Sequence, residues 1–238
     1  MIGIEPATRA QLAWAQLMVT AEHYLHAPVD PRCAPFGYIV TVEHAAMLPQ
    51  VVGCLIFGRP EATRCYDGGL TYGSLADVQA GRAQYDRWEL LNLARVWLSP
   101  HVQTGGIWHR RDLLPGYVDR RGRWRSTLAS HTIELALARI GYDYLQARPP
   151  VDCAYPYQIR AVLSYCDTHC HKGTIYRAAG FQRARTNARG IETWYTPAVA
   201  PLMPEQDRAV RQLAETAPRS QQIRARRNQL ALWADPVL

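Results

Sequence analysis

The chain has little lysine and no long apolar run. Lys172 is its single lysine, against 26 arginines. No stretch of about 18 consecutive apolar residues occurs, which argues against a membrane-spanning helix and a membrane partner. Residues 1–10 also lack the apolar segment of a secretory signal. We therefore expect a cytoplasmic protein, and its 238 residues suffice for one substantial hydrophobic core.

Cysteine is also sparse, with six in the whole chain. In a reducing cytoplasm these residues are expected to be free thiols rather than disulfides. Cys166 and Cys170 lie near two histidines, but the sequence has no second Cys-x-x-Cys half that would complete a structural zinc site. The pattern therefore predicts neither a disulfide framework nor a structural zinc.

A net charge of +7 rests almost wholly on arginine. Residues 107–125 hold six arginines, with Trp108, Tyr117 and Trp124 interleaved. Guanidinium groups bind phosphate, and aromatic rings stack on exposed bases, so this mixture favours nucleic acid. A solvated loop is the alternative interpretation. The predicted nucleic-acid contacts in this insertion are Arg110, Arg111, Arg120, Arg121 and Arg123.

A second arginine group lies in residues 177–189, after the segment that we single out below. It comprises Arg177, Arg183, Arg185 and Arg189, with no acidic residue among them. Its nearness in sequence to that segment favours a role beside a site rather than in bulk solvation.

Hydrophobic periodicity predicts alternating strands and helices. A domain of residues 1–200 is expected to carry the insertion at 107–125, and residues 201–238 are expected to form a helical appendage. Residues 58–86 are rich in Gly, Asp and Arg and predict a loop. Thr8 and Ser126 are the expected caps of the first two helices, and Gly141 is the expected end of the second. The predicted helices span 6–26, 126–140, 173–179 and 205–232, and the predicted strands span 37–42, 51–57, 88–98, 160–165 and 191–196.

The segment 164–181, SYCDTHCHKGTIYRAAGF, is the most informative part of the chain. It ends a buried strand, crosses a polar loop and opens a short helix that Gly180 closes. This layout predicts that Asp167, His169, His171 and Tyr176 lie together at one mouth. Carboxylate, imidazole and phenol side chains are the usual groups for proton transfer, so we expect a catalytic site here.

The pattern Tyr-x-x-x-Gly-Phe at 176–181 resembles the last strand-helix unit of the GNAT acyltransferases. In that superfamily the helix tyrosine commonly protonates the leaving thiolate. The fuller string S-Y-x-D followed by H-x-G-T-I-Y is similar to one branch, the Mom family of phage DNA-modification proteins. A histidine-rich turn at 23–26 and the strand ELLNLARVW at 89–97 match that family in order. The resemblance implies an α/β, GNAT-like acyltransferase fold with a central mixed, mostly antiparallel sheet flanked by helices.

For function, the resemblance implies a transferase that converts adenine in double-stranded DNA to N6-carbamoylmethyladenine and so protects phage DNA from host restriction. The superfamily donor is acetyl-CoA, held by a Gly-rich turn after the central strand. Here the insertion separates Gly105 and Gly106 from the helix that should follow. The product also contains a nitrogen that acetyl-CoA lacks, whereas a transferred glycyl group is its isomer. The sequence therefore predicts either coenzyme A or an activated glycine, such as glycyl-tRNA with a later rearrangement.

The resemblance also implies roles for single residues. Asp167 is expected to accept the amine proton or orient a flipped adenine, and Tyr176 to serve the leaving group. A helix cap is the alternative for Asp167, and a core aromatic is the alternative for Tyr176. Ser164 is expected at the catalytic strand end. Contacts to base or DNA are expected from Tyr165, His171, Lys172, Arg95 and Arg177, and contacts to the donor from Gly173, Thr174 and Ser126.

His23 and His26 stand three residues apart, so on a helix they would share one face. With His171 or Asp167 they could hold a metal, and the family resemblance implies iron. A favourable arrangement of histidines at a helix C-terminus is the alternative.

Two other functions also fit the sequence. A GNAT acetyltransferase acting on a small amine or a protein would account for Tyr176 and the Gly-Phe pair. A phage protein that binds nucleic acid without catalysis would account for the arginines. The acetyltransferase would predict the coenzyme-A turn and would not need the basic insertions. The binding protein gives no reason for Asp167 and Tyr176 beside a strand end, so we expect the DNA-modifying enzyme.

Overall fold

The computed structural model describes residues 2–23, 25–44, 47–62, 64–65, 68–103, 116–118, 120, 124–147 and 158–216. Strands and helices alternate through these residues, as the periodicity predicts. In chain order the elements are β1 (Ile2–Pro6), α1 (Arg9–Glu22), β2 (Phe36–His44), β3 (Met47–Gly58), β4 (Tyr72–Gly73), α2 (Leu75–Gln79), β5 (Tyr85–Asp86), β6 (Leu90–Leu98), α3 (Pro100–Gln103), β7 (Gly116–Val118), β8 (Trp124–Ser126), α4 (Leu128–Leu137), α5 (Ile140–Ala147), β9 (Ala161–Asp167), α6 (Thr174–Ala178), β10 (Gln182–Thr186), β11 (Ile191–Thr196) and α7 (Pro204–Thr216).

Seven strands form one sheet in the order β1-β2-β3-β6-β9-β11-β10. Neighbouring strands run antiparallel except β6 and β9, which are parallel. A parallel pair needs a crossover connection, and α4 and α5 lie in the segment that joins these two strands. The prediction of a mixed, mostly antiparallel sheet flanked by helices is confirmed.

Helices cover both faces of the sheet. On one face α1 buries Ala15 and Val19 against a cluster that includes Ile39, Cys54 and Ile56. The other face carries the largest core cluster, to which α4 and α5 contribute side chains such as Ile133 and Tyr144. Here the hydroxyl of buried Tyr38 donates to Asp143 at 2.8 Å. Because β-strand side chains alternate between faces, each residue of the sheet can be assigned to the α1 face or the α4 face.

The predicted Thr8 cap of α1 is confirmed, but the helix begins at Arg9 rather than at residue 6, because Pro6 ends strand β1. The Thr8 hydroxyl accepts from the backbone N–H of Gln11, and the Gln11 side chain accepts from the N–H of Thr8. This reciprocal capping box satisfies two N–H groups of the first turn. The helix ends at Glu22 rather than at residue 26, because His23 has extended backbone angles.

The second predicted helix is in fact two. Helix α4 ends at Leu137, and Gly141 lies inside α5 rather than at a helix end. A Cβ at Gly141 would lie 3.3 Å from the carbonyl oxygen of Ala200, so this glycine lets the chain after β11 pass closely. The cap residue of α4 is Thr127, although the Ser126 hydroxyl accepts from the N–H of Leu128 at 3.2 Å.

Three further differences concern short elements. Strand β1 was not predicted, and it pairs along its whole length with β2. Residues 58–86 include the parallel pair β4–β5 and helix α2, whose Ser74 cap is bonded to Asp77. Residues 182–186 form the sheet-edge strand β10, where the sequence predicts only a group of arginines.

The described start of the predicted C-terminal appendage packs on the domain. Val210 of α7 is buried in the largest core cluster, with Leu202 packed against it. Residues 217–238 of that prediction lie outside the described residues. Among the described residues, no helix has the length and apolarity to cross a membrane.

Candidate functional site

The parallel strands β6 and β9 separate after a short contact. Residues 90–92 pair with residues 161–163, and no backbone pairing follows although both strands continue. The buried Ser164 hydroxyl donates to the carbonyl oxygen of Leu93 at 2.8 Å, just beyond the last pair. The strands therefore open into a gap between their C-terminal halves, which we call the notch. Ser164, predicted as catalytic, bridges the two strands at its closed end.

A bulge in β6 turns Arg95 toward the α1 face. Phe57 of β3 pairs with Leu93 and the next residue, Ile56, pairs with Arg95, so Ala94 has no partner on β3. The extra residue shifts the side-chain alternation, and bulges of this kind re-aim side chains near functional sites. This explains why an arginine occurs in an otherwise apolar central strand.

A cavity of about 230 Å³ lies on this face, beside the notch. Strands β6 and β9 contribute polar side chains to its wall, and so does the chain that follows β3. Pockets for drug-sized ligands start at roughly 300 Å³, so the described cavity suits a single base or a small acyl group rather than a whole cofactor. Its polar lining residues are Asn92, Arg95, Tyr165, Asp167, Arg59 and Glu61.

Asp167 is the carboxylate at the end of β9. Its Oδ1 accepts from the backbone N–H of His169 at 2.9 Å and lies 3.6 Å from Nδ1 of the same histidine. Its carbonyl oxygen accepts from the N–H groups of Cys170 and His171. The side chain thus stabilises the turn after β9, not the N-terminus of α6, where Gly173 occupies the cap position without a side-chain bond. Asp167 also lines the cavity, and its role beside a substrate stays a prediction.

Tyr165 lines the same cavity and is hydrogen-bonded to Tyr72. Burial, above all, raises the pKa of Tyr165 above its ordinary value, so its hydroxyl stays protonated near neutral pH. The bond to Tyr72 holds the ring against a third, smaller cluster of buried side chains, which includes Leu70, Leu90 and Leu163. A fixed ring of this kind offers a flat surface on which a base can stack.

Tyr176 lies on the opposite face of β9 from Asp167. Its ring packs 5.7 Å from that of Phe181 and is stacked on Trp194 with centroids 6.3 Å apart. Trp194 pairs with Ser164 and shares the α4-face cluster with Cys166, whereas Asp167 lines the cavity on the α1 face. The two predicted catalytic residues therefore flank β9 rather than share one mouth.

Gly173 holds α6 against β11. Its φ is +63°, and a Cβ added there would lie 2.5 Å from a ring carbon of Trp194. The structure thus gives this predicted donor-binding glycine a packing role. The other two predicted donor residues lie apart: Thr174 is exposed on α6, and Ser126 precedes α4.

Several predicted DNA contacts have structural partners. Arg95 donates through Nε and Nη2 to the carbonyl oxygen of Ala27, both at 3.2 Å, which fixes the chain after α1 onto β6. Exposed Arg177 lies over the Trp194 ring at 5.8 Å. Arg183, a member of the second arginine group, forms an ion pair with Glu192 at 3.0 Å, and Glu192 lies just beyond that group in the sequence.

The remaining predicted contacts divide between exposed and undescribed residues. His171 and Lys172 are exposed in the turn before α6, and Arg120 is exposed between β7 and β8. Four arginines of the insertion lie outside the described residues, and they are Arg110, Arg111, Arg121 and Arg123.

His23 and His26, in the turn after α1, lie near His171 in the loop after β9. Burial, then the positive charge of Arg95, and then His171 and His26 lower the pKa of His23 to about 4. His23 is therefore neutral at pH 7, the form that a metal ligand requires. Among the described residues, no three His, Cys, Asp or Glu side chains are grouped to hold a metal ion. Iron at His23 and His26 remains a prediction.

We expect protonation of His23 to lower the stability of the folded protein at acidic pH. Its folded pKa lies below the ordinary value of 6.5, so protonation favours the unfolded chain. The contribution of His23 to the free energy of unfolding is fully present above about pH 6.5 and falls as the pH drops toward 4. We expect a loss on the order of 1 kcal/mol, because solvent screens the charge of a partly exposed side chain. Urea unfolding at pH 7 and pH 4.5 measures this, and a His23→Gln variant should lose less than the wild type. Equal losses would contradict the assignment.

Three polar cavity residues were missed from the sequence, and they are Asn92, Arg59 and Glu61. Asn92 carried a signal, because it is a lone amide in the apolar run of β6. It is only 7% exposed, and its Oδ1 is a buried side-chain atom without a hydrogen-bond partner among the described residues. Arg59 and Glu61 follow β3 in a segment predicted to be a loop, and no pattern marked them.

Comparisons with known proteins find little. No protein-family model matches the chain, and no curated protein matches it significantly. A solved domain from Methanocaldococcus jannaschii DSM 2661 is 9% identical with a TM-score of 0.40, over 85% of this chain and 99% of that one. A CoA-dependent acyl-homoserine lactone synthase, MesI, is 12% identical with a TM-score of 0.35, over 91% and 97%. Likenesses this weak establish neither a shared fold nor a shared activity.

Proposed function

We propose that this protein is a GNAT-like transferase that converts adenine in double-stranded DNA to N6-carbamoylmethyladenine, as the Mom-family resemblance implies. The observation that carries the proposal is the notch between β6 and β9, with Asp167 and Tyr165 on its α1 face and Tyr176 across β9. Proton-transfer groups on the two faces of β9 support a reaction in which one group arrives on one face and another leaves on the other.

The acceptor enters on the α1 face in this proposal. An adenine inside a duplex must be flipped out before its 6-amino group can react, which costs a few kcal/mol. The small cavity takes a single base, and the Tyr165 ring supplies a stacking surface that offsets part of this cost. Asp167 then accepts the amine proton as the nitrogen attacks the acyl carbon in the notch.

The donor in this proposal is an activated glycine such as glycyl-tRNA. Adenine N6 bonds to the glycyl carbonyl carbon, the ester bond to the ribose oxygen breaks, and Tyr176 protonates that oxygen from the α6 side. The N–CO–CH2–NH2 arm so formed is an isomer of the N–CH2–CO–NH2 arm of the product. In the rearrangement that completes the reaction, N6 moves from the carbonyl carbon to the methylene carbon and the amino nitrogen moves from the methylene to the carbonyl carbon. Two C–N bonds break and two form, with no added atom and no oxidant. Coenzyme A is the alternative donor, but it supplies no nitrogen.

Transfer from labelled donors tests the proposal. Purified protein is incubated with DNA and either glycine-labelled charged tRNA or labelled acetyl-CoA, and the DNA nucleosides are then separated. We expect label in deoxyadenosine from glycyl-tRNA only. Label from acetyl-CoA on a small amine or a protein, with none in DNA, would instead favour the acetyltransferase. Binding to DNA without label from either donor would favour the non-catalytic protein.

A further inference from the structure

Asn92 places an unsatisfied oxygen in the cavity wall. Its Oδ1 is buried and lacks a hydrogen-bond partner among the described residues, and its side chain lines the cavity. A buried carbonyl oxygen without a donor destabilises the folded protein, so its retention calls for a reason. An amide oxygen accepts hydrogen bonds, so a ligand that satisfies it must offer an N–H or O–H group.

The position of Asn92 indicates which part of a ligand it meets. Asn92 pairs with Leu163, the last residue of β9 before the strands separate, so it marks the closed end of the notch. Asp167 marks the open end, where its side chain is 29% exposed. Asp167 lies four positions after Leu163 on β9, which corresponds to about 13 Å along an extended strand.

A glycyl group spans much of this distance. From an Asp167 oxygen, the path runs through adenine N6, the acyl carbon, the methylene and the amino nitrogen to an Asn92 oxygen. Three covalent bonds with a hydrogen bond at either end cover about 10 Å, and the two side chains can lean inward to close the rest. A single amine nitrogen bridges two oxygens about 6 Å apart, less than half of the separation along the strand, so the amino group of the donor suits Asn92 better than the adenine amine does.

We infer that Asn92 is the specificity-determining residue for the donor, accepting a hydrogen bond from the amino group of a transferred glycyl unit. The inference rests on the proposed function and adds to it the atom that recognises the donor. An acetyl group has no N–H at this position and would leave Oδ1 unsatisfied. Sites built to bond an N–H discriminate strongly against analogues that lack it.

Transfer from one tRNA carrying two different acyl groups tests the inference. The same tRNA is charged with glycine or with acetate, and transfer to DNA is compared. Wild type should prefer glycine by about a hundredfold, the upper end of what one unsatisfied buried acceptor costs. Asn92→Leu removes the acceptor at similar volume and should lose that preference, whereas Asn92→Asp keeps an acceptor oxygen and should retain it. A glycine preference that survives Asn92→Leu would overturn the inference while leaving the proposed function intact.

A binding measurement separates the inference from the proposed function. 3′-Amino-3′-deoxyadenosine acylated with glycine or with acetate is a stable analogue of a charged tRNA end. Wild type should bind the glycyl form about tenfold more tightly, and Asn92→Leu should bind both equally. This result without any DNA modification would remove the proposed function but keep Asn92 as the group that recognises a glycyl amine. Equal binding by wild type would overturn the inference.

Oligonucleotides report whether Asn92 contacts the acceptor instead. Duplexes carrying either adenine or unsubstituted purine at one mismatched position are compared for binding to wild type and Asn92→Leu. We expect the variant to leave the ratio of the two affinities unchanged. If wild type prefers the adenine duplex and Asn92→Leu binds both duplexes equally, Asn92 contacts the adenine amine. That result would overturn its assignment to the donor.

Discussion

Replacing Asp167 with asparagine should lower DNA modification by about a thousandfold while leaving DNA affinity unchanged. General-base catalysis typically contributes 10²–10⁴-fold, and an amide cannot accept the amine proton. The substitution keeps an oxygen that can accept from the N–H of His169, so the turn after β9 should persist. Initial rates of labelled glycine transfer measure the activity, and a filter-binding titration measures the affinity.

The matched control is Asp207→Asn on α7. Asp207 is also paired, with Arg211 at 2.8 Å, and the change removes the same charge. It should leave both rate and affinity at wild-type values. A comparable loss of rate in both variants would mean that charge alone matters. An active Asp167→Asn would contradict the role of Asp167 as proton acceptor.

Replacing Gly173 with alanine should destabilise the protein by about 3 kcal/mol. The residue has a left-handed φ of +63°, which costs a non-glycine residue roughly 1–2 kcal/mol. The new methyl group would also lie 2.5 Å from the Trp194 ring, and overpacking of this kind costs about 1–3 kcal/mol more. The free energy of unfolding in urea measures the sum.

Gly180→Ala is the control for this second prediction. Gly180 has a similar φ of +79°, but no atom of the residues that the structure describes lies within 4 Å of an added Cβ. It should therefore show only the backbone cost, about 1–2 kcal/mol. A Gly173→Ala variant no less stable than Gly180→Ala would show that Trp194 yields easily. Contact between α6 and β11 would then not fix the position of Tyr176.

Local signals in the sequence predicted the elements that carry the site. The Thr8 capping pattern gave the start of α1, and apolar runs gave the central strand and β9. Segment 164–181 predicted a strand, a turn and a short helix, and the structure has β9, a turn and α6 there. These features depend on neighbours within a few residues, so a sequence pattern can record them.

The parts that depend on distant residues could not be predicted. The bulge at Ala94 arises from how β6 pairs with β3, and it decides that Arg95 faces the cavity. Which face Tyr176 occupies depends on the position of Trp194 on another strand. The same holds for Asn92, whose importance lies in a missing partner that only the packed structure can reveal.

Nucleoside mass spectrometry tests the central claim most directly. DNA is taken from cells that express either the wild-type protein or the Asp167→Asn variant, and its nucleosides are compared. The account predicts a deoxyadenosine heavier by one glycyl residue in the wild type, and none in the variant. Unmodified deoxyadenosine in cells that contain the folded wild-type protein would contradict the account.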